Sequence, residues 1–318
     1  IQFVKEDVRY AYGLSYTSEQ IVSEYLYYFP NGKQAKIFDR NLNEVSFGDK
    51  FKKDFETILN FMKPNKLFLS VSANYSAVKE AELVFLFFKE DLIFYPLPLE
   101  ISNWLEYSIE RFTKEPELKK IFIDFMKSVD TPIQSIDTKF EKTQMTPEFI
   151  PDNIPDEFKP FFAQAKEVTR SEANINYGLF SVNLNEESKG IQKLFEVFGP
   201  IIDIILKDKV LIWDEMETSL HPRIVKEILR LIMYGKRDSK AQLIFSTHDT
   251  NLLDLNTFRR DQIWFTELNK DRETDIYSLA ELKNVRKDEN ISKGYMNGKY
   301  GAIPFIHNPL VFPVEEGC

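Results

Sequence analysis

A short apolar run, Val210–Trp213, ends abruptly in two adjacent carboxylates, Asp214 and Glu215. This pattern is typical of a fully buried parallel strand whose carboxyl end opens into a site. A second apolar run, Gln242–Phe245, repeats the plan and is followed by a polar cluster that contains His248. These two runs constrain the fold strongly, because each one predicts both a buried strand and a polar strand end.

The segment between the two runs has the periodicity of a helix over residues 223–234. Its apolar face consists of Ile224, Ile228, Leu231 and Ile232. Strand, helix and strand in this order form a βαβ unit, and the parallel strands of such a unit end at the same edge of a sheet. We therefore expect an α/β fold in which Asp214, Glu215 and His248 lie close together.

The composition excludes several classes of protein. The chain has 318 residues, enough for one large or two ordinary domains, and its 43% hydrophobic content is not that of a disordered chain. The net charge of −9 argues against a surface that is basic throughout. The single cysteine, Cys318, excludes a disulfide framework. We see no signal peptide and no apolar run long enough to cross a membrane, so we expect a cytoplasmic protein without membrane contact.

The pattern along the chain predicts three regions. Residues 1–49 alternate with a period of two and predict an antiparallel β-lobe. Residues 50–165 predict a helical insertion, in which residues 130–160 form a long connection. Residues 166–318 predict a C-terminal lobe that contains the βαβ unit. The further elements that we expect are helices within 51–59, 78–88, 101–112, 118–129 and 191–205, and strands at 178–184, 262–267 and 275–279.

The two carboxylates after the first run suit nucleotide hydrolysis. Asp214 can hold a Mg²⁺ ion through its water shell, and Glu215 can polarise the attacking water. The alternative is a strand that simply ends in a solvated acidic turn, since charged residues commonly follow strands.

The polar cluster after the second run gives His248 a matching role. A histidine at this place can hydrogen-bond a terminal phosphate and the neighbouring glutamate, and so report whether the phosphate is present. The alternative is a capping cluster, because Ser246, Thr247 and Asp249 are ordinary N-cap residues for a helix over residues 250–255. Capping does not require the histidine.

A third polar segment precedes the helix expected at 191–205. A helix N-terminus carries free N–H groups and a partial positive charge, so Ser188 and the amide of Gly190 can bind a phosphate. The alternative is again capping by Ser188, although Ile191 does not complete a capping box.

Together these motifs resemble the C-terminal half of an ABC-type ATPase head of the RecF/SMC/OLD-like kind. More specifically, the sequence of these motifs is similar to that of a bacterial and archaeal family of AAA-type ATPases with ABC-like motifs. The segments that carry this resemblance are residues 186–195, 218–222, 245–255, 259–265 and 298–304. The resemblance implies a P-loop NTPase fold with ATP and Mg²⁺ as ligands.

The resemblance also implies roles for individual residues. It makes Asp214 the Mg²⁺ ligand, Glu215 the general base and His248 the switch that senses the γ-phosphate. It places Ser219 and His221 in the D-loop, and it makes Ser188 and Gly190 the signature that touches the nucleotide of a partner subunit. The signature departs from the usual Leu-Ser-Gly-Gly-Gln at Lys189 and Ile191.

A P-loop needs Gly-x-x-x-x-Gly-Lys-Ser/Thr to hold phosphates. The Gly-Lys pairs at Gly32, Gly235 and Gly298 lack both the earlier glycine and the following Ser or Thr. In the resembling family this loop precedes the β-lobe, so we expect it upstream of Ile1. The alternative is a degenerate or split ATPase.

The resemblance implies a homodimer or higher oligomer whose heads close around ATP and switch a partner effector, nuclease-like or toxin-like, in phage defence or DNA maintenance. One alternative is a nucleotide-gated sensor or pseudo-ATPase with little turnover. Another is a metal-dependent nuclease that uses Asp214, Glu215 and Glu217. DNA contact is a further hypothesis. The basic residues available for it, which otherwise form a solvated face, are Lys207, Lys209, Arg223, Lys226, Arg230, Lys236 and Arg237.

Overall fold

The computed structural model describes residues 1–96, 104–144, 167–283, 285–286 and 289–304. The chain divides into two compact units. The first unit comprises Ile1–Tyr95, Ile204–Ile212 and Asp238–Ile244, and the second comprises Pro96–Asp203, Trp213–Arg237 and Phe245–Cys318. The mixture of sheets and helices confirms the predicted α/β class.

The N-terminal residues form a five-stranded antiparallel meander in chain order. The hairpin between the first two strands is tight because Lys5 pairs with Val8 across only Glu6 and Asp7, and both of these residues have positive φ. The strands are β1 (Gln2–Lys5), β2 (Val8–Tyr16), β3 (Ile21–Tyr28), β4 (Ala35–Asn41) and β5 (Glu44–Phe47).

One face of this meander packs on three short helices in the same unit, α1 (Lys52–Glu56), α2 (Phe68–Tyr75) and α3 (Lys79–Leu86). The core is rich in phenylalanine rings in edge contacts. The sequence analysis did not predict α2.

A buried ion pair links the meander to α2. Glu24 accepts the N–H groups of Phe68 (2.6 Å) and Leu69 (2.9 Å), which begin α2 and would otherwise lack partners. Its carboxylate lies 3.7 Å from the Arg40 guanidinium, and both side chains are fully buried. Burial raises the pKa of Glu24, although the hydrogen bonds from Leu69, Phe68 and Tyr12 act in the opposite direction.

The two apolar runs form neighbouring strands of a three-stranded sheet. Its strands are β6 (Leu92–Tyr95), β10 (Val210–Trp213) and β11 (Gln242–Phe245), with β10 in the middle. Gln242 donates to the carbonyl of Lys209, and Ser246 donates to that of Trp213, each at 3.0 Å. The two bonds advance in the same direction along both strands, so β10 and β11 are parallel and end at the same edge.

The long helices of the second unit match their predicted positions. They are α4 (Trp104–Lys114), α5 (Pro116–Ser128), α6 (Lys189–Leu206) and α7 (Pro222–Tyr234). A cluster of rings from α4, α5 and α6 fills the space between these three helices. No helix among the described residues is long and apolar enough to cross a membrane.

The prediction of a long connection over residues 130–160 is partly wrong. Strand β7 (Ser135–Gln144) lies within residues 130–160 and pairs along its whole length with β8 (Glu167–Asn176), which continues to β9 (Ser181–Asn183). Ile136, Thr138 and Phe140 alternate with the charged residues Asp137, Lys139 and Glu141, so the period of two is present, but the pairing partner is distant in the chain. Residues 145–160 of the predicted connection lie outside the described residues.

The C-terminal part forms a hairpin and a short helix around a small apolar core. The hairpin strands β12 (Trp264–Leu268) and β13 (Thr274–Ser278) confirm the prediction. The short helix α8 (Ile291–Met296) precedes a glycine-containing turn that buries Tyr300.

Candidate functional site

The ends of β10 and β11 bring the predicted residues together. The Ser246 hydroxyl donates to the carboxylate of Asp214 and accepts the N–H of Glu215 at 2.8 Å. The carbonyl of Ser246 accepts the N–H of Met216 at 3.2 Å. Sequence reasoning considered Ser246 only as a capping residue, whereas the structure uses it to join the two strand ends.

Glu215 and His248 face each other at this edge. The Nε2 atom of His248 lies 3.9 Å from Oε1 of Glu215, and the side chains are 88% and 59% exposed. A contact this exposed contributes little stability. The exposure instead leaves room for a water molecule or an anion beside both groups, which is the arrangement that a base and a phosphate sensor require.

The backbone of Glu215 is left-handed, with φ of 47°. A non-glycine residue rarely adopts this conformation, and it persists where the surrounding structure holds it. Thr218 helps to hold it, because its hydroxyl donates to Oε2 of Glu215 at 3.3 Å. The strain therefore falls on the residue expected to act as the general base.

Glu217 binds the backbone of the second strand end. Its Oε1 atom accepts the N–H of His248 at 2.7 Å. Burial acts to raise the pKa of Glu217, but hydrogen bonds from His248 and the Thr247 side chain outweigh it and leave the pKa below its ordinary value. Sequence reasoning named Glu217 only as the third carboxylate of a nuclease, and no local pattern reveals its contact.

The signature residues lie at the beginning of α6. The Oγ atom of Ser188 accepts the N–H of Ile191 at 3.3 Å, so Ser188 caps the helix, as the alternative for this segment proposed. A Cβ atom at Gly190 would lie 3.0 Å from the carbonyl oxygen of Ser219. The start of α6 therefore packs closely on the D-loop of the same chain.

The residues predicted to form the D-loop, Ser219 and His221, lie in the turn before α7. Ser219 has φ of 65°, and the Nδ1 atom of His221 accepts the N–H of Arg223 at 3.2 Å, which caps α7. The segment after His248 also begins with a cap, because Asp249 accepts the N–H of Asn251 at 2.9 Å. The helix that the capping alternative allowed over residues 250–255 is a 3₁₀ turn, Thr250–Leu252.

Lys193 is a site residue that sequence reasoning missed. It lies one turn into α6, and its ammonium group donates to the carbonyl of Thr218 at 2.9 Å. It also lies 5.6 Å from the centre of the Trp213 ring. Burial lowers its pKa against the opposing charges of Glu196, Glu217 and Glu215. Lys193 therefore ties the signature helix to the turn that follows β10.

The carboxylates at the strand ends fit a Mg²⁺ ion that is held together with phosphate oxygens better than the metal site of a nuclease. The described residues contain no group of three or more His, Cys, Asp or Glu side chains placed to hold a metal ion. Mg²⁺ usually keeps several waters and takes one or two protein carboxylates together with phosphate oxygens. Asp214 fits that role, whereas the nuclease hypothesis needs Glu217, which is bound to the amide of His248.

Comparisons with known proteins identify the family. Residues 1–254 match the family described as "AAA domain, putative AbiEii toxin, Type IV TA system". Comparison with curated proteins gives no match. The SmcHead bound to the C-winged helix domain of ScpA is 13% identical, with 85% of this chain and 73% of that chain covered and a TM-score of 0.34. The recombination mediator RecF with ATP is 13% identical, with 77% and 76% covered and a TM-score of 0.27.

These two structural likenesses are too weak to carry an argument, so the assignment rests on the family match. The matched range contains the meander, both strand ends and every site residue from Ser188 to His248. The match confirms the predicted AAA-type ATPase family and agrees with the predicted P-loop NTPase class. The chain belongs to the AAA-domain family described as a putative AbiEii toxin of type IV toxin–antitoxin systems, and so to the nucleotide-binding ATPases.

Proposed function

We propose that this protein binds and hydrolyses ATP at the common end of β10 and β11. Asp214 holds Mg²⁺, which neutralises phosphate charge when it is bound, and Glu215 orients and deprotonates the attacking water. His248 contacts the terminal phosphate. The observation that carries the proposal is the open pair of Glu215 and His248, 3.9 Å apart at the edge where two parallel strands end.

The proposal includes a partner copy of the chain. Two heads close around ATP, and the signature of each, Ser188 and Gly190, completes the site of the other. Ser219 and His221 belong to the same surface, and the close approach of Gly190 to Ser219 supports a joint role for signature and D-loop. Hydrolysis then reopens the pair, so ATP acts as a conformational switch.

The output of this switch is a partner effector in the cytoplasm. The family description names a toxin of a toxin–antitoxin system, which supports a toxin-like or nuclease-like effector in phage defence. DNA maintenance with direct DNA contact is the other output consistent with this switch.

Glu215→Gln tests the proposed reaction in the natural full-length protein. Loss of the general base should lower kcat for ATP hydrolysis by about 10²-fold or more, while ATP binding persists. Phosphate release measures the first quantity and a fluorescent ATP analogue measures the second. Glu227→Gln is the matched control, because Glu227 is a surface residue of α7 that pairs with Arg230.

Two results would contradict the proposal. Equal turnover in Glu215→Gln and the wild type would remove Glu215 from the reaction. Nucleotide binding without turnover in the wild type would instead favour a nucleotide-gated sensor or pseudo-ATPase.

A further inference from the structure

We propose that Glu217 is a positioning residue that locks the His248 segment to the turn after β10, so that the D-loop and the histidine move together. The inference rests on the proposed function for its kinetic consequence. Its structural part, the lock itself, stands on the contacts of Glu217 alone.

The lock joins two segments that meet only in the folded sheet. Oε1 of Glu217 accepts the N–H of His248 at 2.7 Å. A hydrogen bond to a carboxylate is stronger than one to a neutral acceptor. The position of the His248 backbone, and hence of its imidazole, is therefore set by a residue on the other strand end.

The chemical state of Glu217 fits this task. Hydrogen bonds from the second strand end hold its pKa below the ordinary value in spite of burial, so the group stays ionised. Its other oxygen, Oε2, is buried and has no hydrogen-bond partner among the described residues.

The neighbour of Glu217 connects the lock to the signature. The carbonyl of Thr218 accepts a hydrogen bond from the ammonium group of Lys193 on α6. The hydroxyl of Thr218 donates to the carboxylate of Glu215. A displacement of α6 or of the D-loop therefore reaches Glu215 through Thr218 and His248 through Glu217. The proposed partner-facing segments are thus connected to both groups of the proposed reaction within one chain.

The test compares Glu217→Ala and Glu217→Gln in the natural full-length protein, with Glu227→Ala as the matched surface control. Glu217→Ala removes the acceptor, whereas Glu217→Gln keeps a carbonyl oxygen that can accept the N–H of His248. Two quantities are measured in each variant. They are kcat and KM for ATP hydrolysis, and the amide hydrogen exchange of peptides that cover residues 243–253.

We expect Glu217→Ala to lower kcat by about 10-fold to 100-fold and to leave KM within about 2-fold, because a misplaced group costs rate more than binding. The amides of residues 246–249 should exchange faster in this variant. Glu217→Gln should restore the protection and bring kcat to within about 3-fold of the wild type, because a neutral acceptor is weaker but correctly placed. Glu227→Ala should change neither quantity.

Unchanged kcat and unchanged protection in Glu217→Ala would overturn the inference. A general loss of protection throughout the protein, with kcat and KM changed together and no rescue by glutamine, would also overturn it, because that pattern indicates a structural role only. If the wild type does not hydrolyse ATP, the proposed function fails. The exchange measurement then decides the lock by itself, since local deprotection supports it and unchanged protection refutes it.

Discussion

At the scale of single residues, the candidate site depends on hydrogen bonds between two strand ends. Ser246 is central to them, because its hydroxyl bonds both the carboxylate of Asp214 and the N–H of Glu215. A hydroxyl can donate and accept at the same time, which neither a carboxylate nor an ammonium group can do. The two acidic residues are therefore held by one small side chain that carries no charge.

Replacement of Ser246 should show this dependence. In Ser246→Ala the N–H of Glu215 and the carboxylate of Asp214 lose a partner, so the free energy of unfolding should fall by about 1 kcal/mol. The rate of ATP hydrolysis should fall even under conditions in which the variant is still fully folded. Chemical denaturation and phosphate release measure the two effects. Ser246→Thr, which keeps the hydroxyl, is the control, and an alanine variant as active as the threonine variant would contradict the expectation.

At the scale of elements, the first unit is joined by a buried polar network as well as by its aromatic core. Arg40 on β4 donates to the carbonyls of Leu42 and Lys66, each at 2.6 Å, and Glu24 on β3 caps the start of α2. These bonds satisfy backbone groups that connecting loops and helix ends leave free. The ion pair of Glu24 and Arg40 thus connects the sheet to its helical layer.

Removal of both members of this pair should cost less stability than the sum of the two single removals. Arg40→Met or Glu24→Leu leaves a buried charge without its partner and should cost about 3–5 kcal/mol of stability. The double variant should cost clearly less than the sum of the two single variants. A double-mutant cycle by urea denaturation measures the coupling, and additive losses would contradict the role that we assign to the pair.

At the scale of the whole molecule, the site residues from Ser188 to His248 belong to the second unit, whereas β10 and β11 begin in the first. The proposed switch acts on this molecule through a second copy of the chain. An ATP-bound pair is expected to persist when hydrolysis is blocked, because the reopening step then cannot occur.

The assembly predicted by this switch can be measured directly. Glu215→Gln with ATP and Mg²⁺ should have twice the monomer mass by light scattering, and the same protein without nucleotide should not. Lys189→Glu is a second test at the predicted signature. Its reversed charge beside Ser188 should repel phosphate and so weaken the ATP-bound dimer. A mass that does not depend on ATP would refute an ATP-gated dimer.

Much of the local structure follows from the sequence. The period of apolar residues predicted α6, α7 and the hairpin of β12 and β13, because such periods reflect contacts between near neighbours in the chain. The abrupt end of Val210–Trp213 in Asp214 and Glu215 likewise located the candidate site. The strand β7 has the period of two in Ile136, Thr138 and Phe140, but it was missed because its pairing partner β8 is distant in the chain.

Only the tertiary structure decided which side chains meet across the two strand ends. The contacts of Glu217 with His248, of Lys193 with Thr218 and of Ser246 with Asp214 join residues that are far apart in the chain. No local pattern encodes them, because they depend on the register of β10 against β11 and on the docking of α6. The sequence by itself determined the family and the residues at the strand ends, and the packing of the sheet determined how those residues are held.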